Sequence, residues 1–478
     1  MTTNHLEMQT ERLPRREGPM LGPLSRKALA ITMIATSLGF VLVQLDVSIV
    51  NVALAQIGIE LRTEVAGLQW VIDSYTLLFA SLLLFVGALA DRIGARKAFV
   101  GGFALFIIAS LACGLAPIPA VLIGARAIQG IGAAFLVPCS LALLDHACRD
   151  DAILRARAVG LWTAAGSVAL AVGPALGGFL VHVLSWRSIF FVNVPLGAIG
   201  IWLTWYFVEE STVHPGSRFD LAGQLLALVT LSSLTATMIE TSVLGWFSPL
   251  VLLGFGTALI CGVAFILVEA RVQTPMLPLT FFRNPTFSAA TLVGLAINFT
   301  LYGVIFILSL YLQQLRHFSP LAFGIAFLPF PLVLLASNLA AGWLGGKIGS
   351  RPLMVVGLLI AAVGYWLLHG LDTAVPYSAM LPGLLVIPLG IGLAVPAMTT
   401  ALLSSVPRSR SGIASGVLNT VRQAGGAIGV ALFGSLLAQG AVHGIQLAFV
   451  ASVVGAAAAA IVALLGIRPQ SSRTVHRN

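Results

Sequence analysis

GALADRIGARK, running from Gly87 to Lys97, is a short charged turn between two long apolar runs, and its skeleton returns late in the chain as GWLGGKIGSRP, Gly342 to Pro352. Gly87, Leu89, Arg92, Ile93, Gly94 and Arg96 match Gly342, Leu344, Lys347, Ile348, Gly349 and Arg351 at one constant offset. A basic turn repeated at equivalent places between apolar segments is the mark of a duplicated membrane bundle. The expected fold is therefore an all-α integral membrane protein with two similar halves.

Composition agrees. Of 478 residues, 58% are hydrophobic and 9% charged, too little polar surface to cover a soluble globule. The net charge of +9 comes with no basic stripe and no nucleic-acid motif, so no nucleic-acid partner is expected. Cys113, Cys139, Cys148 and Cys261 have no paired spacing and are read as small apolar fillers. The eight histidines form no HExxH or comparable pair, so no metal is expected. A nucleotide-driven pump needs GxxxxGK[ST]; around Lys347 the leading glycine position is Ala341 and the hydroxyl position is Ile348. No catalytic motif and no soluble domain point to an enzyme, and no cofactor is expected.

Residues 1–26 are polar and basic and are read as a cytoplasmic tail, not a signal peptide, because the first apolar run is too long. Fourteen apolar runs of membrane-spanning length follow, the first at 27–51 and the last at 444–467. The loops on one side of the membrane hold most of the 26 Lys and Arg residues, and those on the other hold only Arg62, Arg187 and Arg316. By the positive-inside rule both termini are expected in the cytoplasm. The repeat divides the chain into a six-helix bundle at 27–208, an inserted helical pair at 209–270, a second six-helix bundle at 271–467 and a tail at 468–478. Gly130-Ile131-Gly132 is echoed by Gly390-Ile391-Gly392, and Gly160 and Gly173 by Gly416 and Gly429.

These residues resemble the major facilitator superfamily, and within it the fourteen-span drug:proton antiporters of the multidrug efflux type. LDVSIVNVALAQI, Leu45 to Ile57, is similar to the motif ending the family's first span, with Ser48 where Thr is usual and Ala55 where Pro is usual. The Gly87 turn matches the family's loop motif, with Ala95 in place of a frequent basic residue. Leu122 to Ala134, with Arg126, Gln129, Gly130 and Gly132, resembles the fourth-span motif. Gly173-Pro174 with Gly177-Gly178 resembles the fifth-span antiporter motif, with Ala169 replacing its leading Gly. Trp186-Arg187, then Phe190, Phe191, Asn193, Pro195 and Gly197, resembles the run that opens the sixth span.

An ionisable side chain inside the bilayer costs several kcal/mol unless paired or hydrated, so each is a functional candidate. Counted along their spans, Asp46, Asp73 and Arg126 all fall about 5–10 Å from the outer boundary and are expected to share one site. Asp46 and Asp73 are read as proton-coupling carboxylates with Arg126 as the charge that tunes them; a fixed ion pair is the competing reading. Arg422 falls near the midplane, in a substrate role or a structural one. Asn298, Gln423, Tyr302 and Phe306 are read as cavity candidates. Asn193 and Asn338 are read as interhelical contacts. Gly87, Asp91, Arg92, Gly94 and Arg96 are read as a cytoplasmic gate, with the start of the thirteenth span near Ser411 and Gly412 as its partner. The resemblance implies that this turn holds the halves together when the carrier faces outward. It also implies that Gly173, Pro174, Gly177 and Gly178 bend the fifth span and seal the cavity against leak. It further implies a proton-driven exporter of lipophilic drugs or antibiotics, with protons, lipid and a small molecule as its partners. The Ala- and Gly-rich composition and compact loops suit the bacterial inner membrane, and a monomer is expected. An exporter of an endogenous metabolite, lipid or amino acid is the alternative.

Overall fold

The computed structural model describes residues 26–148, 152–210, 220–272, 275, 277–407, 411–438 and 440–468. The tails read from the sequence lie outside these residues. Fourteen helical segments are long and apolar enough to cross a membrane, and no strand occurs among the described residues. The first set is α1 (Arg26–Glu60), α2 (Val65–Ile93), α3 (Ala95–Gly114), α4 (Pro119–Cys148), α5 (Ala152–Val183), α6 (Ser188–Phe191) and α7 (Asn193–Phe207). A hairpin of α8 (Leu221–Leu244) and α9 (Pro249–Glu269) follows. The second set is α10 (Pro285–Leu310), α11 (Pro320–Phe327), α12 (Pro329–Ile348), α13 (Ser350–Leu367), α14 (Tyr377–Ser404), α15 (Ser411–Ala438) and α16 (Ala441–Gly466).

Local chemistry sets the boundaries. Asn284 and Ser319 accept bonds from the first-turn amides of Thr286 and Ala322 at 3.0 and 3.1 Å, and Pro285 and Pro320 follow them, where a missing N–H costs nothing. One expected span divides between α6 and α7, shortly before Pro195, and another between α11 and α12 at Leu328, before Pro329 and Pro331. Proline cannot donate to the preceding turn, and these interruptions are its consequence. The span begun by α10 ends in a π-helical turn, Tyr311–Leu315.

The repeat has a structural cause. Gly94 and Gly349 occupy the same place in the two basic turns, with φ of 95° and 81°, values that side-chain-bearing residues rarely adopt. Each turn reverses the chain between adjacent spans, α2 to α3 and α12 to α13. We call the side of the bundle bearing them the turn end and the opposite side the far end. The echoed glycines are points of close helix approach: a Cβ at Gly130 would lie 2.3 Å from the Tyr75 carbonyl oxygen, and one at Gly390 would lie 2.3 Å from that of Gly357. Gly173 faces Ser48 Oγ at 1.8 Å and Gly429 faces the Phe299 carbonyl at 2.1 Å on the same measure. Gly160 faces open space and has no such role.

The halves meet at the far end. Gln69 of α2 donates to the carbonyls of Val430 and Ala431 of α15 at 3.1 and 2.6 Å. Ser309 of α10 donates to the Asn51 carbonyl of α1. Gly178 lies against Pro320, and Gly324 against Pro174, so α5 and α11 touch backbone to backbone. The α8–α9 hairpin joins the halves from the side, with α8 packed on both α2 and α15. α9 is largely lipid-facing: only 11% of its span is buried inside the protein.

Replacing Gly130 or Gly429 with Val should destabilise the detergent-solubilised protein by about 1–3 kcal/mol each through overpacking. Gly124→Val, where nothing lies within 4 Å of an added Cβ, should leave the thermal midpoint unchanged; equal losses at all three positions would refute the close-approach account.

Candidate functional site

Four spans place polar side chains, and a fifth a backbone carbonyl, at one buried point near the far end. Arg126 and Gln129 stand three residues apart on α4 and so share a face; Ser110 and Cys113 do the same on α3. Arg126 Nη1 donates to Asp46 Oδ2 of α1 at 2.5 Å, and both side chains are almost wholly buried. The other Asp46 oxygen accepts from Gln129 Nε2 at 2.8 Å and from Asn193 Nδ2 of α7 at 3.1 Å. Arg126 also donates to Gln129 Oε1 at 2.7 Å and, through Nε, to the Val71 carbonyl of α2 at 3.0 Å. Its guanidinium lies 4.2 Å from the Tyr75 ring centroid, a cation–π contact worth more when desolvated. Ser110 Oγ accepts from both amides, at 2.8 Å from Gln129 and 3.3 Å from Asn193. The ion pair is thus held within a network of charge-assisted bonds.

Three expectations change. Asp73 does not join Asp46 and Arg126: it is fully buried, and neither carboxylate oxygen has a hydrogen-bond partner among the described residues. Its place on α2 is one turn after Gln69, which puts it at the joint with α15. Sequence depth was right for grouping Asp46 with Arg126 but does not say which way Asp73 is turned about its helix. Cys113 is more than an apolar filler, since its thiol donates to Gln129 Oε1 at 3.6 Å inside the polar network. Phe306 is fully buried in a core cluster to which both halves contribute and lines neither lobe of the cavity described next.

A cavity opens beside the ion pair between the halves. One lobe, about 480 Å³ of non-atom space, is bordered by Asn51, Tyr75, Arg126, Tyr302, Gln423 and Gly426. The other, about 530 Å³, has walls including Leu301, Ile305, Phe323, Phe327, Phe330 and Leu334. Val47, Asn51 and Tyr302 border both lobes. Pro174 lines the second lobe, while Gly173, Gly177 and Gly178 make close contacts with α1 and α11. α5 is one helix through this motif. Arg422 and Asn298 pair across α15 and α10, with Nε to Oδ1 at 3.2 Å. Asn193 and Gln129 were available from the sequence as members of motifs; their convergence on Asp46 was not.

At the turn end, Arg96 donates its backbone N–H to Glu210 Oε1 at 3.0 Å and its guanidinium to the Trp205 carbonyl at 2.5 Å. The basic turn is therefore docked on the end of α7, within its own half. Gly87 and Gly412 have no side chains to place, and those of Asp91 and Ser411 lie outside the described ones.

A family profile described as Major Facilitator Superfamily matches residues 36–430. The chain belongs to the Major Facilitator Superfamily. Among the superfamily's curated members it is 38% identical over 406 residues to the Methylenomycin A resistance protein of Bacillus subtilis (strain 168), covering 85% of this chain and 87% of that one. It is 39% identical over 408 residues to the Multidrug resistance protein Stp of Mycobacterium tuberculosis (strain CDC 1551 / Oshkosh), covering 85% of this chain and 76% of that one. The crystal structure of a POT family transporter in complex with a thioalcohol conjugated peptide superposes with a TM-score of 0.68 at 14% identity, over 90% of this chain and 94% of that one. That likeness establishes the fold.

Removing one partner of a buried ion pair leaves an uncompensated charge, at about 3–5 kcal/mol. Asp46→Asn and Arg126→Gln should each destabilise the protein by that order, and the double variant by clearly less than their sum. Additive losses in thermal unfolding would show that the two side chains are not coupled.

Proposed function

We propose that this membrane carrier exports lipophilic drugs or antibiotics in exchange for protons, by alternating access of the cavity between its halves. The observation that carries the reading is that Arg126 borders the cavity while it is bonded to Asp46. One guanidinium then reports on both the cargo and the carboxylate. The relatives named for methylenomycin A resistance and multidrug resistance support the cargo class.

A proton arriving on Asp46 removes the charge that anchors Arg126, leaving Gln129 and the Val71 carbonyl as its remaining acceptors. In a medium of low dielectric this releases a cation toward the cavity and loosens α1 from α4. α1 also carries Val47 and Asn51, so a shift at Asp46 moves the cavity wall directly. Return of Arg126 to an ionised Asp46 expels the proton. The cycle needs no cofactor, and the proton gradient drives it.

The turn end bears Arg92, Arg96, Lys97, Lys347 and Arg351 and faces the cytoplasm by the positive-inside rule. α1 begins there and α16 ends there, so both termini are cytoplasmic, in the inner membrane of a bacterium. The far-end contacts then make this the state closed to the outside. The Gly87 turn is the gate that grips the second half in the opposite state, and its docking on Glu210 is its resting position.

Two experiments test this. Purified protein in liposomes with an imposed pH gradient should show cargo-dependent proton flux on addition of lipophilic dyes and antibiotics, and Asp46→Asn should abolish it; coupled flux undiminished in that variant would refute the role of Asp46. Gln69→Ala removes two bonds from the far-end joint, each worth about 0.5–1.5 kcal/mol net. It should shift the population toward the outward-open form by roughly five- to 150-fold, read as a longer far-end distance between spin labels; an unchanged distance distribution would show that Gln69 does not hold that end.

A further inference from the structure

Arg126 and Arg422 are, among the described residues, the two arginines set well inside a membrane-spanning helix, and they are treated in opposite ways. Arg126 has a carboxylate, an amide, a backbone carbonyl and an aromatic face. Arg422 has the Asn298 amide oxygen, bonded through Nε at 3.2 Å, and no ion pair or further hydrogen bond among the described residues. Arg422 is half-buried within the bundle; a cation so placed without a counter-ion is costly, and such charges are kept where an anion meets them.

None of the surrounding helices is seen to bring an anion to it. Of the helices that pack on α15, α10, α14 and α16 contain no acidic residue, α8 has Glu240 four residues before its last residue, Leu244, and α2 has Asp73; after Arg271 the chain has Asp372 alone. Asp372 sits between α13 and α14 at the far end, where it accepts from the backbone amides of Ala374 and Val375 at 2.7 and 3.0 Å. In the opposite half Asp46 is saturated by Arg126, Gln129 and Asn193. Asp73 lies on the α2 side of α15, as Gln69 one turn away shows by bonding Val430 and Ala431. Arg422 is turned to the α10 side, against Asn298 and beside Gly294, where an added Cβ would lie 3.1 Å from Arg422 Cγ.

Its position is next to the cavity. Gln423 adjoins Arg422 in sequence and Gly426 is one turn on; both border the smaller lobe. Asn298 is likewise one turn from Tyr302, which borders both lobes. The guanidinium and its amide therefore stand one helical turn, about 5 Å, toward the turn end from the cavity lining. The walls beyond are aliphatic and aromatic. We propose that Arg422, oriented by Asn298, is the recognition point for the anionic group of an amphipathic monoanionic cargo, a carboxylate or sulfonate whose apolar body packs against Phe323, Phe327 and Phe330.

This inference rests on the export reading and narrows its cargo. It also has an electrical consequence. An anion moving out and a proton moving in carry charge in the same direction across the membrane, so the exchange is driven by the interior-negative potential as well as by the pH gradient.

The test uses full-length protein in liposomes with three probes of similar size: an amphipathic aryl sulfonate, its neutral sulfonamide and a lipophilic quaternary ammonium. The wild type should move the sulfonate in exchange for protons, faster when a potassium diffusion potential of the predicted sign is imposed. Arg422→Gln should slow sulfonate movement at least tenfold while sulfonamide movement stays within twofold, and Arg422→Lys should restore part of the difference. Sulfonate should raise the thermal midpoint of the wild type and not that of Arg422→Gln, a readout independent of turnover. Equal loss of sulfonate and sulfonamide transport in both variants would overturn the inference and make Arg422 a structural or coupling residue. Preference for the quaternary ammonium would overturn it as well and leave proton-coupled export standing. If no probe moves against a proton gradient in the wild type while sulfonate still binds through Arg422, the export reading fails and the anion site survives.

Discussion

A charge placed in hydrocarbon must be satisfied from within the protein, and the first half of this carrier is arranged around that requirement. Asp46 and Arg126 both lie buried inside the bundle, and neither is tolerable without the other. Gln129, Asn193, Ser110 and the Val71 carbonyl then complete the shells that the pair leaves open. The consequence is positional. α1, α2, α3, α4 and α7 are each fixed by at least one bond in this network, so the bundle can move as a unit against its partner while the network holds.

Close approach does for the backbone what the network does for charge. With lipid tails as apolar as leucine, helices gain little by hiding apolar surface, and packing contact must hold them together. Gly130, Gly390 and Gly429 each bring a neighbouring backbone carbonyl to a distance that excludes any side chain. Within one half these contacts make a rigid body. Between halves, at Gly178 against Pro320 and Gly324 against Pro174, they make a joint whose surfaces are smooth enough to separate. Gln69 adds a polar stitch at the same end. Rigid bodies with a smooth, lightly stitched joint are the mechanical requirement for alternating access.

The legible and illegible parts of the sequence divide along a physical line. Fourteen spans, the repeat and the special turns at Gly94 and Gly349 could be read because hydrophobic length and glycine backbone freedom are local properties. The depth of Asp46 and Arg126 was also legible, since helical rise converts residue number into height. Azimuth was not. In a soluble helix the polar stripe shows which side faces out, but here nearly every face is apolar, and nothing in the residue order says that Asp46 turns to Arg126 and Gln129 while Asp73 stays out of their network. The same blindness put Phe306 in the cavity and left Asn193 and Cys113 outside the polar network. Only the packing of several helices at once decides these directions.

The two halves share their turn glycines and close-approach glycines and differ in electrostatics. The first encloses an ion pair, Asp46 with Arg126; the second presents Arg422 with an amide and no ion-pair partner among the described residues. Had both halves carried complete ion pairs, the cavity between them would respond to protons alone. Had neither, it would be an apolar cleft with no means of linking cargo to the gradient. An exchanger needs one element that senses the proton and one that senses the cargo, both facing the same space so that occupancy of either changes the field felt by the other. Arg126 and the residues next to Arg422 border a single lobe, and in that lobe a charge gained on one side is felt on the other across a medium that screens it weakly.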